Sequence, residues 1–363
     1  MHIGLLAPPF VRVPPERYGG TERVVAALAD ALVDRGHDVV LFASGDSDTK
    51  ARLEPIVESP VWEDPEFHDN GPFWMLAVER AYRNADGLDL MHNHADFYAY
   101  PLARRAPMPT ITTQHWRMDL PELVPLYDEY TEQPLVAVSD AQRRALPTAN
   151  WLATVAHGLP RRLYTPKFAP GRYLAFCGRL SRDKGVDTAI RAAIRTGIPI
   201  KIAGLRPTGL RSDEEERAER AFFEEVLTPL LRHPVVEELG EIGEPEKQAL
   251  YEDAMAVLFP ISWPEPFGLV LIESLACGTP VLASPVGSVP EVIRHGVTGF
   301  HCATLEHYVR AIERVGEIDR RACRREFDER FTAQLMARRY EETFATHLGL
   351  RDPARPQAYA TTP

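Results

Sequence analysis

The chain has 363 residues, a length that suits about two domains, and its 45% apolar and 26% charged content is an ordinary globular mix with ample material for cores. The net charge of −11 is concentrated in residues 1–150, where 23 Asp and Glu face 13 Lys and Arg; this argues against nucleic acid, weakly against an anionic membrane surface, and is equally met by a plain solvated acidic face. No window approaches ~20 apolar residues, the first residues carry no basic leader pattern, and Cys177, Cys277, Cys302 and Cys323 form no C-x-x-C pair, so a cytoplasmic chain with reduced thiols and no stable membrane anchor is expected.

In chain order, "HIGLLAP" predicts a first strand. A glycine-bearing loop follows, and then a helix over "TERVVAALADALVDRG", where Val24, Val25, Leu28, Ala31 and Leu32 recur on one face. "HDVVLFA", "LDLMHNH" (88–94), "MPTITTQH" (108–115) and "PLVAVSD" (134–140) predict further strands, each with a polar tip. A Pro- and Arg-bearing stretch at 157–172 breaks the series and reads as a linker. A second series follows: strand 173–178, a helix near 185–196, strand 198–204, an acidic helix "SDEEERAERAFFEEVL", "VVEELGEI", helix "PEKQALYEDA", strand 256–262, strand "TPVLAS" and a helical tail whose last residues, "RDPARPQAYATTP", are expected to fray. Repeated βα units on either side of a linker imply two facing doubly wound α/β domains. The expected division is 1–160, 161–330, and a C-terminal helix and tail at 331–363 that can cross back to the first domain.

Four short stretches could carry chemistry. "EPFGLVLIESLACGTP" (265–280) holds Glu265 between two prolines, hence in an extended loop, and then Glu273 inside an apolar helix. The helix start at Phe267, Gly268 and Leu269 presents free amides, an anion site. Glu273, one turn in, can accept hydrogen bonds from sugar hydroxyls; a core carboxylate satisfied by backbone or an Arg is an equal alternative. In "GRLSRDKG" (178–185), Arg179 and Lys184 sit between a strand and a helix and can converge on a diphosphate, although a solvated basic loop is the commoner meaning of such a pair. In "ERYGGTERVV", Gly19 and Gly20 precede a helix and allow close backbone approach, or simply turn the chain. His115 ends a strand and can be a donor, a base or a cap. His92 and His94 lack a third ligand at zinc spacing, and Asp46 and Asp48 suit a solvated turn, so no metal site is expected.

Taken in order, these motifs resemble the retaining glycosyltransferases of family 4, which have the GT-B fold of two facing Rossmann-like domains. The resemblance runs from "YGGTE" through "VSDAQR", "HGLP" and the two-glutamate segment to "PEVIRHGVTGF" (289–300), and "YGGTE" itself looks like a bacterial subgroup. It implies that Arg179 and Lys184 bind the donor diphosphate, that Glu265 contacts the donor sugar and that Glu273 holds the ribose. It further implies that Phe267, Gly268 and Leu269 offer amides to sugar and phosphate, that Gly19 and Gly20 lie near the phosphates, and that His115 lies by the reacting sugar. The expected activity is transfer of a hexose-type sugar from a nucleoside-diphosphate sugar to a small-molecule or glycan acceptor, with retention, no metal and no other cofactor. A GT-B-type sugar-nucleotide epimerase and a non-enzymatic sugar-binding protein are the alternatives. A dehydrogenase is disfavoured because "HIGLLAPPF" lacks G-x-G-x-x-G.

Overall fold

A computed structural model of the chain describes residues 1–61, 69–206 and 213–350. Ser212, the first residue of the expected acidic helix, and the tail expected to fray lie outside the described residues.

The first half is built on a parallel sheet. Its strands are β1 (His2–Leu6), β2 (Asp38–Ser44), β3 (Arg52–Val57), β4 (Leu90–Asn93), β5 (Thr110–Thr113), β6 (Leu135–Ala137) and β7 (Trp151–Thr154), and among the described residues their order is β3-β2-β1-β4-β5-β6-β7. Strands covered by helices on both faces read as unbroken apolar runs, and Ile3, Leu5 and Leu6 of β1 are fully buried. The helix Gly20–Asp34 returns the chain from β1 to β2, packing Val24, Val25, Leu28 and Leu32 in the same core as Ile3 and Leu5.

The second half repeats the plan with β8 (Tyr173–Cys177), β9 (Ile200–Ala203), β10 (Val236–Gly240), β11 (Ala254–Phe259), β12 (Val281–Ala283) and β13 (Gly299–His301), ordered β10-β9-β8-β11-β12-β13 and again parallel. The acidic helix runs over Asp213–Ala221 and widens into a π-helical segment at Phe222–Leu227, which buries Phe222 and Leu227.

The C-terminal helix Ala333–His347 packs on the first half. Met336, Ala337, Tyr340 and Phe344 lie in the core of the first sheet. The Tyr340 hydroxyl is 2.9 Å from Thr113 Oγ1 at the end of β5, and Arg35 pairs with Glu341.

In each sheet the order reverses direction between two central strands, β1 and β4 in the first and β8 and β11 in the second. Loops leaving the carboxyl ends of such a pair diverge to opposite faces and leave a crevice between them. The loops after β1, β8 and β11 are the ones that carry "YGGTE", "GRLSRDKG" and the glutamate segment.

Candidate active site

Gly19 is the N-cap of helix Gly20–Asp34, with φ 142°. That backbone geometry favours glycine, and a Cβ there would stand 2.8 Å from Pro15 Cβ. A Cβ on Gly20 would lie 3.7 Å from Leu269 Cδ1, so the first loop faces the start of helix Leu269–Ala276 across the crevice. Gly268 caps that helix at φ 82°, again a glycine conformation. Helix starts leave amides without intrahelical partners, and two of them converge here. Phe267 is buried and packs its ring 4.8 Å from that of His157, with its carbonyl accepting from Ser288 Oγ at 2.8 Å. Only its backbone can serve a ligand.

Glu265 sits in the loop before this helix, and its Oε2 pairs with Lys184 Nζ at 2.6 Å. Both side chains are largely buried, and Lys184 Nζ lies 4.8 Å from the centre of the Trp263 ring. Arg179 holds Asp183 at 3.3 Å and is about a third exposed. In this state Arg179 and Lys184 are each engaged elsewhere. Each rests on a carboxylate.

Glu273 lies one turn inside its helix at 1% exposure. Its Oε1 takes Lys247 Nζ at 3.1 Å and its Oε2 takes the Tyr251 hydroxyl at 2.9 Å, both from helix Glu244–Glu252. Arg23, from the first half, bonds Glu244 Oε1 at 2.6 Å through Nε and the Gly19 and Arg17 carbonyls through its terminal nitrogens. Tyr164 donates to the other Glu244 oxygen. Burial opposes the Glu273 charge, but Lys247 and Arg23 outweigh it and hold its carboxyl below the ordinary range. Burial opposes the Lys247 charge too, and Glu273 outweighs that and pushes the ammonium up. The core-carboxylate alternative is thus partly realised, with a lysine and a tyrosine where the sequence suggested backbone or an arginine.

Sequence reasoning did not single out Arg23, Lys247 or Tyr251. A signal existed for Lys247, which stands three and four residues before Leu250 and Tyr251 on one helix face. A lysine on a buried face needs a buried anion.

Gly19, Gly20, Arg179, Leu269 and Glu273 line one cavity of about 160 Å³. His115 lines a second, of about 540 Å³, on the first half, and Tyr18, Gly19 and Gly20 belong to both walls. A wider recess, about 1090 Å³, lies against Pro160–Arg162 and the start of the C-terminal helix and holds none of the singled-out site residues.

His115 belongs to a file of imidazoles. Its Nε2 is 2.8 Å from His94 Nδ1, its ring stacks on His157 at 5.2 Å, and His92 lies 4.1 Å from His94. Burial lowers all four: His92 and His115 to about 3, and His94 and His157 well below the ordinary value. All four are neutral near pH 7. Because the unfolded chain takes up protons below about 6.5 and these rings do not, stability should fall as pH drops from about 7 toward 5, on the order of 1 kcal/mol per pH unit for each of His92 and His115, with His94 and His157 acting in the same direction. Melting temperatures across that range check this; a flat profile would mean that the rings accept protons while folded. Among the described residues no group of three or more His, Cys, Asp and Glu side chains is arranged to hold a metal ion.

The two halves also meet where the sequence motifs "VSDAQR" and "PEVIRHG" touch: Glu291 accepts from the amides of Asp140 at 2.8 Å and Ala141 at 2.7 Å. Among the described residues no helix is long and apolar enough to cross a membrane.

Comparison with known proteins matches this arrangement. The chain is 27% identical to a glycogen synthase of Mycobacterium tuberculosis (strain CDC 1551 / Oshkosh), covering 80% of each chain. Its structure resembles AviGT4, a glycosyltransferase involved in avilamycin A biosynthesis, with a TM-score of 0.70, 22% identity and coverage of 96% of this chain and 98% of that one. It also resembles Anabaena Alr3699/HepE in complex with UDP and glucose, with a TM-score of 0.72, 20% identity and coverage of 95% and 100%. Residues 18–173 match the profile of glycosyltransferase family 4 and residues 165–331 that of glycosyl transferases group 1. With the two profiles covering consecutive parts of a chain that folds as two facing parallel-sheet domains, the protein is a glycosyltransferase of group 1 with the GT-B fold.

Proposed function

We propose that the protein moves a hexose-type sugar from a nucleoside-diphosphate sugar to an acceptor hydroxyl, with retention of anomeric configuration and without a metal ion. We place it in the "YGGTE" subgroup and in the cytoplasm. The observation that carries this reading is the pairing of Lys184 with Glu265 at the carboxyl ends of β8 and β11, with Glu273 one helical turn deeper beside the two-glycine loop. The UDP and glucose held by the Anabaena neighbour suggest UDP-glucose as the first donor to test. The free thiols Cys177, Cys277, Cys302 and Cys323 support the location.

On this reading the nucleotide spans the small cavity. A carboxylate offers about four lone-pair sites, so Glu273 can keep Lys247 and Tyr251 and still accept from two ribose hydroxyls. Lys184 exchanges Glu265 for the diphosphate, which frees Glu265 to accept from the donor sugar. Arg179 adds a second cation, and the amides at Gly20 and Leu269 add two helix starts. These groups stabilise the negative charge that grows on the leaving diphosphate as the sugar becomes oxocarbenium-like. The acceptor hydroxyl enters from the larger cavity, past neutral His115, on the face the leaving group vacates. Its proton passes to the departing phosphate.

A screen of nucleoside-diphosphate sugars, scored by nucleotide release with an acceptor mixture, tests the activity. The same assay in excess EDTA tests metal independence. Turnover should be unchanged, because Arg179 and Lys184 supply the positive charge. Abolition by EDTA with restoration by Mg²⁺ or Mn²⁺ would refute that part.

A further inference from the structure

The larger cavity, of about 540 Å³, has a wall that the donor chemistry does not use. Part of its lining is aromatic. Trp74 and Tyr98 stack at 4.8 Å with 7° between their planes, Phe10 meets Trp74 edge-on at 4.8 Å, and Tyr98 and Trp116 are each more than 40% exposed. The lining also carries carboxylates. Glu22 is 7% exposed on the first turn of helix Gly20–Asp34, and Asp96 stands just after β4 at φ 53°. Among the described residues the lining holds one cation, Arg117, and both oxygens of Asp119 already hold it, at 2.6 and 2.7 Å. Two further polar side chains of this wall are buried with an atom unpartnered: Gln114, at 0% exposure, through Oε1, and His94, at 3%, through Nε2. Buried polar atoms without partners are rare, and two on one wall point to a ligand that supplies them.

We propose that this cavity is the acceptor site and that it takes an unphosphorylated polyhydroxylated ring, a sugar or a cyclitol, while rejecting phosphorylated ones. The inference rests on the donor placement above, which puts the reacting centre at Gly19 and Gly20, the residues that both cavities share. A ring of this kind has an apolar face for Tyr98 and Trp116 and hydroxyls that both donate and accept. Glu22 and Asp96 accept from those hydroxyls, and Gln114 Oε1 accepts another. A phosphate would meet the carboxylates of Glu22 and Asp96, and among the described residues that line the cavity the one cation, Arg117, is already paired. Burial pushes Glu22 up to about 7 and Asp96 up to about 6, so both are mainly ionised at pH 8.

The test is binding without nucleotide at pH 8, read by the fluorescence of the wall tryptophans and by calorimetry. The probes are glucose, maltose, myo-inositol, glucose 6-phosphate and inositol 1-phosphate. At least one uncharged ring should bind, with its phosphate ester at least about tenfold weaker, as expected for like charges brought together. Tyr98→Ala should weaken the uncharged ring by roughly tenfold. Glu22→Gln with Asp96→Asn should narrow the gap between ring and ester, and asparagine tolerates the backbone at position 96. UDP binding, measured in parallel, should be unchanged in Tyr98→Ala. Esters that bind as well as the free rings, no binding by any ring, or a Tyr98→Ala protein that binds as wild type would each overturn the inference. Failure of UDP to bind with ring binding intact would instead overturn the donor placement.

Discussion

Lys184→Ala should lower transferase turnover by about 10²–10³-fold, some 3–4 kcal/mol of transition-state stabilisation. The magnitude follows from where the ammonium stands. Its side chain is only 17% exposed, it is 2.6 Å from Glu265, and that carboxylate is itself only 14% exposed. Removing the lysine takes away a cation that would meet the leaving diphosphate. It also leaves Glu265 without its resting partner, with a negative charge beside an anionic leaving group. Both effects act on the chemical step more than on ground-state binding, so kcat should fall more than KM rises. Lys184→Arg should recover part of the rate, because charge is kept while the geometry changes. Turnover of Lys184→Ala within about threefold of wild type would remove this lysine from the mechanism.

Glu273→Gln should both destabilise the protein and weaken nucleoside-diphosphate binding. Removing one partner of a buried ion pair costs about 3–5 kcal/mol, because the other charge stays buried. Here Lys247, 8% exposed, loses its nearer anion and keeps only Glu244 at 3.5 Å, a carboxylate it shares with Arg23. Thermal or denaturant unfolding measures the first effect and calorimetry with UDP, below the melting range, the second. The Glu273 carboxyl is held below its ordinary range, so its contribution is fully present above the unfolded value of about 4.3 and is lost as pH falls through the lower folded value. The stability gap between wild type and variant should therefore close in acid. A variant that is less stable but binds UDP as tightly as wild type would reduce Glu273 to a structural ion pair.

The central strands could be read from the sequence because parallel strands buried on both faces leave unbroken apolar runs such as "HIGLL" and "AVLF". The strands that went unread are short or lie at or next to a sheet edge: β3 contains Pro55, β7 has four residues and β13 three. Helix Gly71–Arg83 also escaped, since it buries only Ala77, Val78 and Ala81 and so shows a thin apolar stripe. In the site, the residues that could be found were those whose spacing is local: Arg179 with Lys184, and Glu265 with Glu273. Their partners could not be found this way. Lys247 meets Glu273 across 26 residues, Lys184 meets Glu265 across 81, and Arg23 reaches Glu244 from the other half of the molecule. The first two pairings arise only when the second sheet and its helices have folded, and the third only when the two halves meet. The larger cavity was hidden for a related reason: its aromatic and acidic residues come from segments scattered between Phe10 and Tyr127, which only the folded first half brings together.

A crystal structure of the protein with UDP tests the donor placement most directly. The ribose hydroxyls should lie within hydrogen-bond distance of Glu273, and the diphosphate against Lys184, Arg179 and the amides at Gly20 and Leu269, with the Lys184–Glu265 pair opened. A nucleotide bound elsewhere, or one bound in the crevice with Lys184 still on Glu265 and no contact to Glu273, would contradict it.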